Sequence, residues 1–417
     1  MRPAETVAVV GGGIAGLAVA WFLRARGVAI TVYERDRVGA GASWGNAGWL
    51  TPPFAVPLPS PATLRAGLSG LLSRYAPLSV PAPTRPGTLR FLTALARHCT
   101  ESRWQASMAA VAELNRRALA AHDRLVPGEP GSDSGNGTEP ATSALVALRS
   151  PAERETILAE LARVRAAGQP VEFEVVDGRA ARHRHPLLTP AVTAAVVLHR
   201  QRFVEPGRYL DSLAGNLRRA GGTIATGVEV RAVHDTGTGV RLLTSCGTAH
   251  ADAAVLAGGA ELGALARPFG VRMPVHAGRG YSFSVACEHL PRTPVYFPGS
   301  KLVFTPMGDR LRVAGLMEFQ APDAPLDRRR VAGMVRAARP LVGDIDWSGR
   351  IEEWVGSRPC TADGLPLAGP TRSARVFVAG GAGMWGMTHG PVTGELLAET
   401  VASGTPQPEL APFHPLR

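Results

Sequence analysis

The sequence predicts a mixed α/β fold with α+β character: a parallel nucleotide-binding sheet assembled from separated stretches of chain, with a second domain on a mixed antiparallel sheet interleaved. Three observations predict it. The chain begins with an apolar run, Thr6–Val10, that meets Gly11-Gly-Gly-Ile-Ala-Gly16, a helical pattern to Gly27, and a second apolar run, Ala29–Tyr33, ending at Glu34. Far later, Ala253–Gly259 and Arg375–Ala379 each read as a buried strand running into glycines, as strands returning to one sheet would. Between them, residues 271–320 are strand-rich without that pattern.

The first stretch is Rossmann-like. Gly11 allows the tight turn, Gly13 lets the backbone approach a pyrophosphate, and Gly16 lets the helix pack closely, while the helix N-terminus faces the phosphate charge. Ile14 and Ala15 share that turn. Glu34, about 20 residues on, suits ribose hydroxyls, with Arg35 beside it. Ala20, Leu23 and Gly27 stand at packing positions. The stretch does not choose between FAD and NAD, and a glycine turn in an ordinary βαβ unit is its alternative.

At 417 residues, 45% apolar and 19% charged, the composition is that of a soluble globular protein of two or three domains. Forty-five basic residues against 34 acidic give +11, but the bases are spread along the chain and nearly all arginine, so no nucleic-acid partner is expected. A weak attraction to an anionic membrane surface stays open, and Arg182–His185 and Arg328–Arg330 read as solvated faces. Cys99, Cys246, Cys287 and Cys360 form no C-x-x-C pair, which argues against a disulfide scaffold or a metal site. No run spans a bilayer. A cytoplasmic protein, with membrane association left open, is the expectation.

The elements follow in order. Gly39–Gly48 is a second glycine loop, and the proline-rich 52–61 crosses into another domain. Residues 62–73 and 88–98 are short helices, and 104–126 is a long amphipathic one with Met108, Val111, Leu114, Ala118 and Leu125 at helical spacing. Residues 127–142 read as a flexible loop. Ser150-Pro-Ala-Glu153 is a capping box opening a helix to about Ala167. Residues 192–198 form a strand, Val204–Tyr209 opens a helix to Ala220, 223–225 is a strand, and 228–233, 240–244 and 248–251 are an antiparallel meander. Residues 281–285, 301–305 and 310–316 are the clearest later strands, 331–338 is helical, and a last helix covers 391–402. The nucleotide domain is thus 1–60, 200–266 and 350–417, and the substrate domain 61–199 and 267–349.

At this point the chain resembles the D-amino-acid oxidase superfamily of FAD enzymes, nearest to its D-amino-acid dehydrogenase and glycine oxidase groups. The resemblance covers almost the whole length and is weakest at 120–200. It rests on the fingerprint, Ser43-Trp-Gly-Asn-Ala-Gly48, Tyr75-Ala-Pro-Leu78, Gly280-Tyr-Ser282, Gly356-Ser-Arg-Pro-Cys-Thr-Ala-Asp-Gly-Leu-Pro366 and the glycine-rich Gly380–Gly390. It implies FAD rather than NAD.

The resemblance also implies roles. Ser43, Asn46, Ala47 and Gly48 line the flavin; Gly381, Gly383, Met384, Trp385, Gly386 and Thr388 close over its pyrimidine edge; Val228 meets the adenine. Arg358 grips the substrate carboxylate, a task suited to a planar fork. Met317 lines the cavity or is plain core, Glu318 meets the substrate amine or forms a structural salt bridge, and Tyr281 offers a hydroxyl or is a buried aromatic. Three departures mark a reshaped pocket: Val303 replaces a carboxylate-binding tyrosine of glycine oxidases, Ala382 a histidine, and Trp385 is bulky. Cys360 is out of register with the site of covalent flavin attachment in some relatives, so FAD is expected to be non-covalent.

The implied activity is oxidative deamination of a D-amino acid to the imino and then 2-oxo acid, by hydride transfer to flavin N5, with oxygen, a quinone or a protein as electron acceptor. A secondary amine or glycine as substrate (sarcosine, D-proline or hydroxyproline, an opine), or a role as flavin subunit of a larger electron-transfer dehydrogenase, are the alternatives.

Overall fold

The computed structural model describes residues 4–71, 76–81, 85–125, 138–141 and 144–417. Its first sheet has six strands in the order Thr223–Thr226, Ala29–Glu34, Thr6–Val10, Ala253–Leu256, Val376–Gly380, Leu367–Pro370. The first five pair in parallel and the last antiparallel. The strands that begin the chain and those that return to it therefore lie side by side, as their glycine-ended apolar runs require. Ile14–Arg24 covers one face and packs on the last helix, Gly386–Ser403. A three-stranded antiparallel meander, Val230–Asp235, Val240–Thr244 and Gly247–Ala251, flanks this sheet.

The second, nine-stranded sheet is mixed. Its main path runs Ile351–Thr361, Val275–Ala286, Arg310–Phe319, Leu302–Met307, Val295–Phe297, Ala144–Leu148, Ala194–Leu198, Phe173–Asp177, and Leu78–Ser79 pairs with the third of these. Ile351–Thr361 thus joins the large sheet, although the chain from 350 onward was expected in the nucleotide domain. Phe283, Phe297, Phe304, Val313 and Val331 share a core on one face, covered by the helix Arg328–Ala338.

Several local expectations change. Of residues 127–142, positions 127–137 and 142 lie outside the described residues, but Glu139–Ala141 is a strand paired with Gln201–Phe203, which also pairs Trp49–Leu50. Tyr75, and 72–73 of the expected 62–73 helix, also lie outside the described residues. Backbone pairing, not composition, makes these short strands, so periodicity does not show them. The capping box is half made: Ser150 Oγ accepts from Glu153 N at 3.2 Å, whereas Glu153 accepts from Arg149 N at 2.9 Å, one residue early. Gly27 packs on nothing and owes its place to φ +84°. In the two basic runs, His185 and Arg330 are buried rather than solvated. The last helix starts at Gly386, not 391; Pro391 sits in its second turn, where the missing N–H removes one helical bond.

Candidate active site

The glycine turn is built as its residue types dictate. Gly11 has φ +114°, and a Cβ there would overlap the Ala257 carbonyl, its carbon at 2.9 Å; a Cβ on Gly16 would run into the Gly11 carbonyl. Gly13 caps the first helix in extended conformation with no side chain of its own. The Ser43 hydroxyl accepts from Ile14 N at 3.2 Å instead, so the second glycine loop is fastened to the helix N-terminus. Glu34 accepts from Gly12 N at 2.7 Å and Asp36 N at 3.0 Å, and its carbonyl accepts from Val228 N at 2.9 Å. Arg35 points outward into ion pairs with Glu261 at 2.5 Å and Asp36 at 3.3 Å.

The remaining loop residues converge on the same place. Asn46 Oδ1 accepts from Gly48 N at 2.8 Å, and Gly48, at φ +72°, accepts from Val204 N. Ala47 is partly accessible between them. Gly386, Gly390 and Gly394 lie against Ile14, Ala18 and Val19, so the first and last helices approach closely at their N-terminal ends, and Ala15 N faces Gly390. Two helix N-termini thus turn positive ends to one region. Gly381 and Gly383 are left-handed at φ +71° and +53°; Met384 packs with Met317 and Cys360; Trp385 Nε1 donates to Val56 O at 2.8 Å; Thr388 is buried.

The four substrate-side candidates divide two and two between the faces of the large sheet. Arg358 and Met317 lie on the face turned toward the loops above. A Cβ on Gly280 would overlap the Arg358 guanidinium, and one on Gly278 would meet Met317 Sδ and Cys360 Sγ. Arg358 Nη1 donates to Leu316 O at 2.7 Å, and no carboxylate lies within salt-bridge distance of it among the described residues. Burial pushes its pKa down, opposed only by Cys360, whose own thiol burial pushes up to about 12.

Tyr281 and Glu318 lie on the opposite face. The Tyr281 hydroxyl donates to Glu318 at 2.8 Å; Arg279 reaches the same carboxylate at 3.4 Å and the carbonyls of Ala324 and Pro325; Arg330 stands 3.9 Å away. Burial and the Glu318 charge push Tyr281 up to about 12. Their polar atoms are spent on one another, so these two do not face the Arg358 side. A signal for this lay in Gly278-Arg-Gly-Tyr-Ser-Phe-Ser-Val285, where small residues alternate with large ones; period two puts Tyr281 with Phe283, away from Gly280.

Sequence reasoning also missed residues on the near face. Ser282 pairs Ala314, which pairs Val303, which pairs Tyr296; Thr305 pairs Arg312, which pairs Ser284. Directly opposed residues point to one side. Ser282 Oγ, Thr305 Oγ1, Trp49 Nε1, Thr51 Oγ1 and Arg312 Nη1 are buried there or beside it without a partner in the protein. Trp354, on the same face, is held between Gly45 and Gly356. Orphaned donors and acceptors next to a glycine cradle fit a large polar ring system with a pyrophosphate tail.

Comparison with known proteins gives the family and the fold. Residues 6–400 match the family described as FAD dependent oxidoreductase, and the chain belongs to that family. It is 30% identical over 424 residues to a D-amino acid dehydrogenase of Cereibacter sphaeroides, covering 97% of this chain and 93% of that protein. Among solved structures, a glycine oxidase from Geobacillus kaustophilus superposes with TM-score 0.73 at 24% identity over 99% of both chains. An iminodiacetate oxidase from Chelativorans does so with TM-score 0.72 at 20% identity over 98% of both. The two sheets are therefore those of an FAD-dependent oxidoreductase.

Proposed function

We propose that this chain oxidatively deaminates an amino acid, a D-amino acid in the first instance, to the imino acid that water converts to the 2-oxo acid. The observation that carries the reading is Arg358. Arg358 is partly buried, with one carbonyl partner and no carboxylate among the described residues, so its cation is left to be completed by an anion. The face it lies on is turned to the nucleotide loops, and the free edge of its fork suits a bidentate carboxylate. The relatives named D-amino acid dehydrogenase support the amino-acid class.

Gly11–Gly16, Ser43–Gly48, Val228 and Gly381–Thr388 would hold FAD, with Glu34, whose oxygens keep spare lone pairs beside their two backbone donors, meeting ribose hydroxyls. When bound, FAD supplies the acceptor for the hydride leaving the substrate Cα. Arg358 fixes the carboxylate, Met317 shapes the wall beside it, and the two helix N-termini stabilise negative charge. Positioning and electrostatics suffice, so no nucleophile is required. Burial pushes the Cys360 thiol up to about 12, which disfavours the thiolate that covalent attachment would need and supports non-covalent FAD.

A peripheral contact with an anionic membrane belongs to the same reading. From Arg37 to Thr100 the sequence has no Asp or Glu, and Leu64 and Leu89 are exposed within it. Among the described residues no helix is long and apolar enough to cross a membrane.

The test is an anaerobic titration of the FAD-loaded protein with D-amino acids, L-amino acids, glycine, sarcosine and D-proline. Bleaching of the flavin band by a primary D-amino acid supports the reading; bleaching by secondary amines alone replaces it with an amine oxidase. No bleaching until a second protein is added makes the chain a subunit of a larger dehydrogenase.

A further inference from the structure

We propose that Gly280 is the positioning residue for the Arg358 guanidinium, and that the missing side chain at this position is what permits carboxylate recognition. The inference rests on the assignment of Arg358 as the carboxylate-binding group.

Gly280 lies mid-strand on Val275–Ala286, opposite Gly356. It is not among the residues with positive φ, so backbone freedom does not explain a glycine here. Space does. The three atoms nearest to a Cβ there all belong to the Arg358 guanidinium, Nη1 being at 2.6 Å and Nη2 and Cζ nearer still. The planar cation lies on bare backbone, and any side chain at 280 takes its seat.

Its orientation is set from the other side of the same strand. Pairing of Val275–Ala286 with Arg310–Phe319 slips between Arg279 and Tyr281, leaving Gly280 outside the register. At that irregularity Leu316 takes φ +61°, an uncommon conformation for a residue with a branched side chain, and its carbonyl accepts from Arg358 Nη1 at 2.7 Å. The guanidinium is thus held face-down by Gly280 and by one nitrogen at Leu316, and Nε and Nη2 have no protein hydrogen bond among the described residues. Gly278, two residues back on the same face, leaves room in the same way for Met317 Sδ and for Cys360 Sγ at 2.7 Å. A two-glycine shelf seats the three side chains that form this wall.

A methyl group at 280 meets the far end of a flexible side chain, not backbone. The guanidinium moves; the strand does not.

The experiment is a double-mutant cycle on the full-length, FAD-loaded chain, with propionate binding measured by calorimetry and kcat and KM measured separately for the best amino acid. Gly280→Ala should weaken propionate about tenfold or more, the range for losing a hydrogen bond to a charged group. It should raise KM more than it lowers kcat, with flavin spectrum and melting temperature close to wild type. In an Arg358→Ala background, adding Gly280→Ala should change propionate affinity by less than about twofold, because the methyl enters vacated space. If Gly280→Ala binds propionate as tightly as wild type while Arg358→Ala does not, the proposal falls and Arg358 keeps its role. An equal penalty in both backgrounds also overturns it, as a general packing defect. If Arg358→Ala itself keeps wild-type affinity, the reading underneath fails instead. Should Gly280→Ala not load FAD, the double variant decides: recovery places the collision at the guanidinium, and failure in both refutes it.

Discussion

The two faces of the large sheet carry the same kinds of side chain to opposite ends. On the far face Arg279, Arg330 and the Tyr281 hydroxyl gather around the one carboxylate of Glu318 in the core. On the near face Arg358 has a carbonyl for company, Ser282 and Thr305 hydroxyls have no partner in the protein, and Arg312, ion-paired to Glu352, leaves its Nη1 unmet. Paired buried polar groups belong to the fold; a group of unpaired ones beside a glycine cradle is where a ligand would complete the structure, whereas an isolated one such as Arg279 Nε is not. Alternate residues of single strands serve the two purposes, so one step along Val275–Ala286 crosses from scaffold to site.

The comparison breaks most visibly at Glu318. Glu318→Ala strips Arg279 of its carboxylate and should cost about 3–5 kcal/mol in stability, measured by denaturant unfolding, with KM of the folded fraction little changed. A large rise in KM with unaltered stability would return Glu318 to the substrate. Glu318→Gln, which keeps an acceptor for Tyr281, should recover part of the loss.

Acid should reach the same distinction through two buried histidines that join the helix Glu101–Leu125 to the start of the last helix. His122 Nε2 donates to Met387 O at 3.0 Å and its Nδ1 accepts from the Tyr209 hydroxyl at 2.7 Å; His389 Nε2 donates to Asn115 Oδ1 at 2.8 Å, leaving Nδ1 unpartnered. Burial pushes both down to about 4. Near pH 6.5 the unfolded chain takes up these protons and the folded chain does not, so stability present above pH 6.5 is lost as pH falls toward 4. The loss is about 3 kcal/mol for each histidine. His389→Gln should flatten the pH dependence of unfolding between those values; an unchanged curve would place the acid sensitivity elsewhere.

Arg358→Ala should show the opposite balance to Glu318→Ala. Removing a partly buried cation that no acid compensates should change the stability of the FAD-free protein little. Carboxylate-bearing substrates should lose about 10–150-fold in kcat/KM, equivalent to one charged hydrogen bond. Loss of stability together with intact kcat/KM would make Arg358 part of the scaffold.

What the sequence made legible follows from range. The glycine turn, its two strands and Glu34 are close in sequence, and each residue type there answers a local steric demand, so the nucleotide sheet could be read directly. Arg358 was singled out through the motif around it. The division between Tyr281 and Gly280 was present as alternation of large and small side chains, but which half faced the nucleotide loops depended on helix Arg328–Ala338 covering the other. Strands such as Glu139–Ala141 and Leu78–Ser79 exist through partners sixty or more residues away, Phe203 and Glu318 among them, and no local pattern marks them. Thr305 and Ser282 read as ordinary strand residues; only the missing partners single them out.

The smallest effect is also the finest probe of the comparison. Thr361 and Ser282 are equally buried hydroxyls, at 1% and 0% exposure, but Thr361 Oγ1 donates to Leu365 O at 2.8 Å whereas Ser282 Oγ has no protein partner. Thr361→Val should therefore cost about 1 kcal/mol with or without FAD, because a made hydrogen bond and its carbonyl acceptor are stranded. Ser282→Ala should be neutral or slightly stabilising in the FAD-free protein, since it deletes a hydroxyl that burial leaves unsatisfied. If Ser282 faces the flavin, that gain reverses in the loaded protein, and FAD binding weakens by about 0.5–1.5 kcal/mol. Melting curves of both variants, with and without FAD, separate these outcomes. A Ser282→Ala cost that is the same in both states would mean that the near face is structural at this row, and that the flavin lies nearer to Gly356 and Arg358.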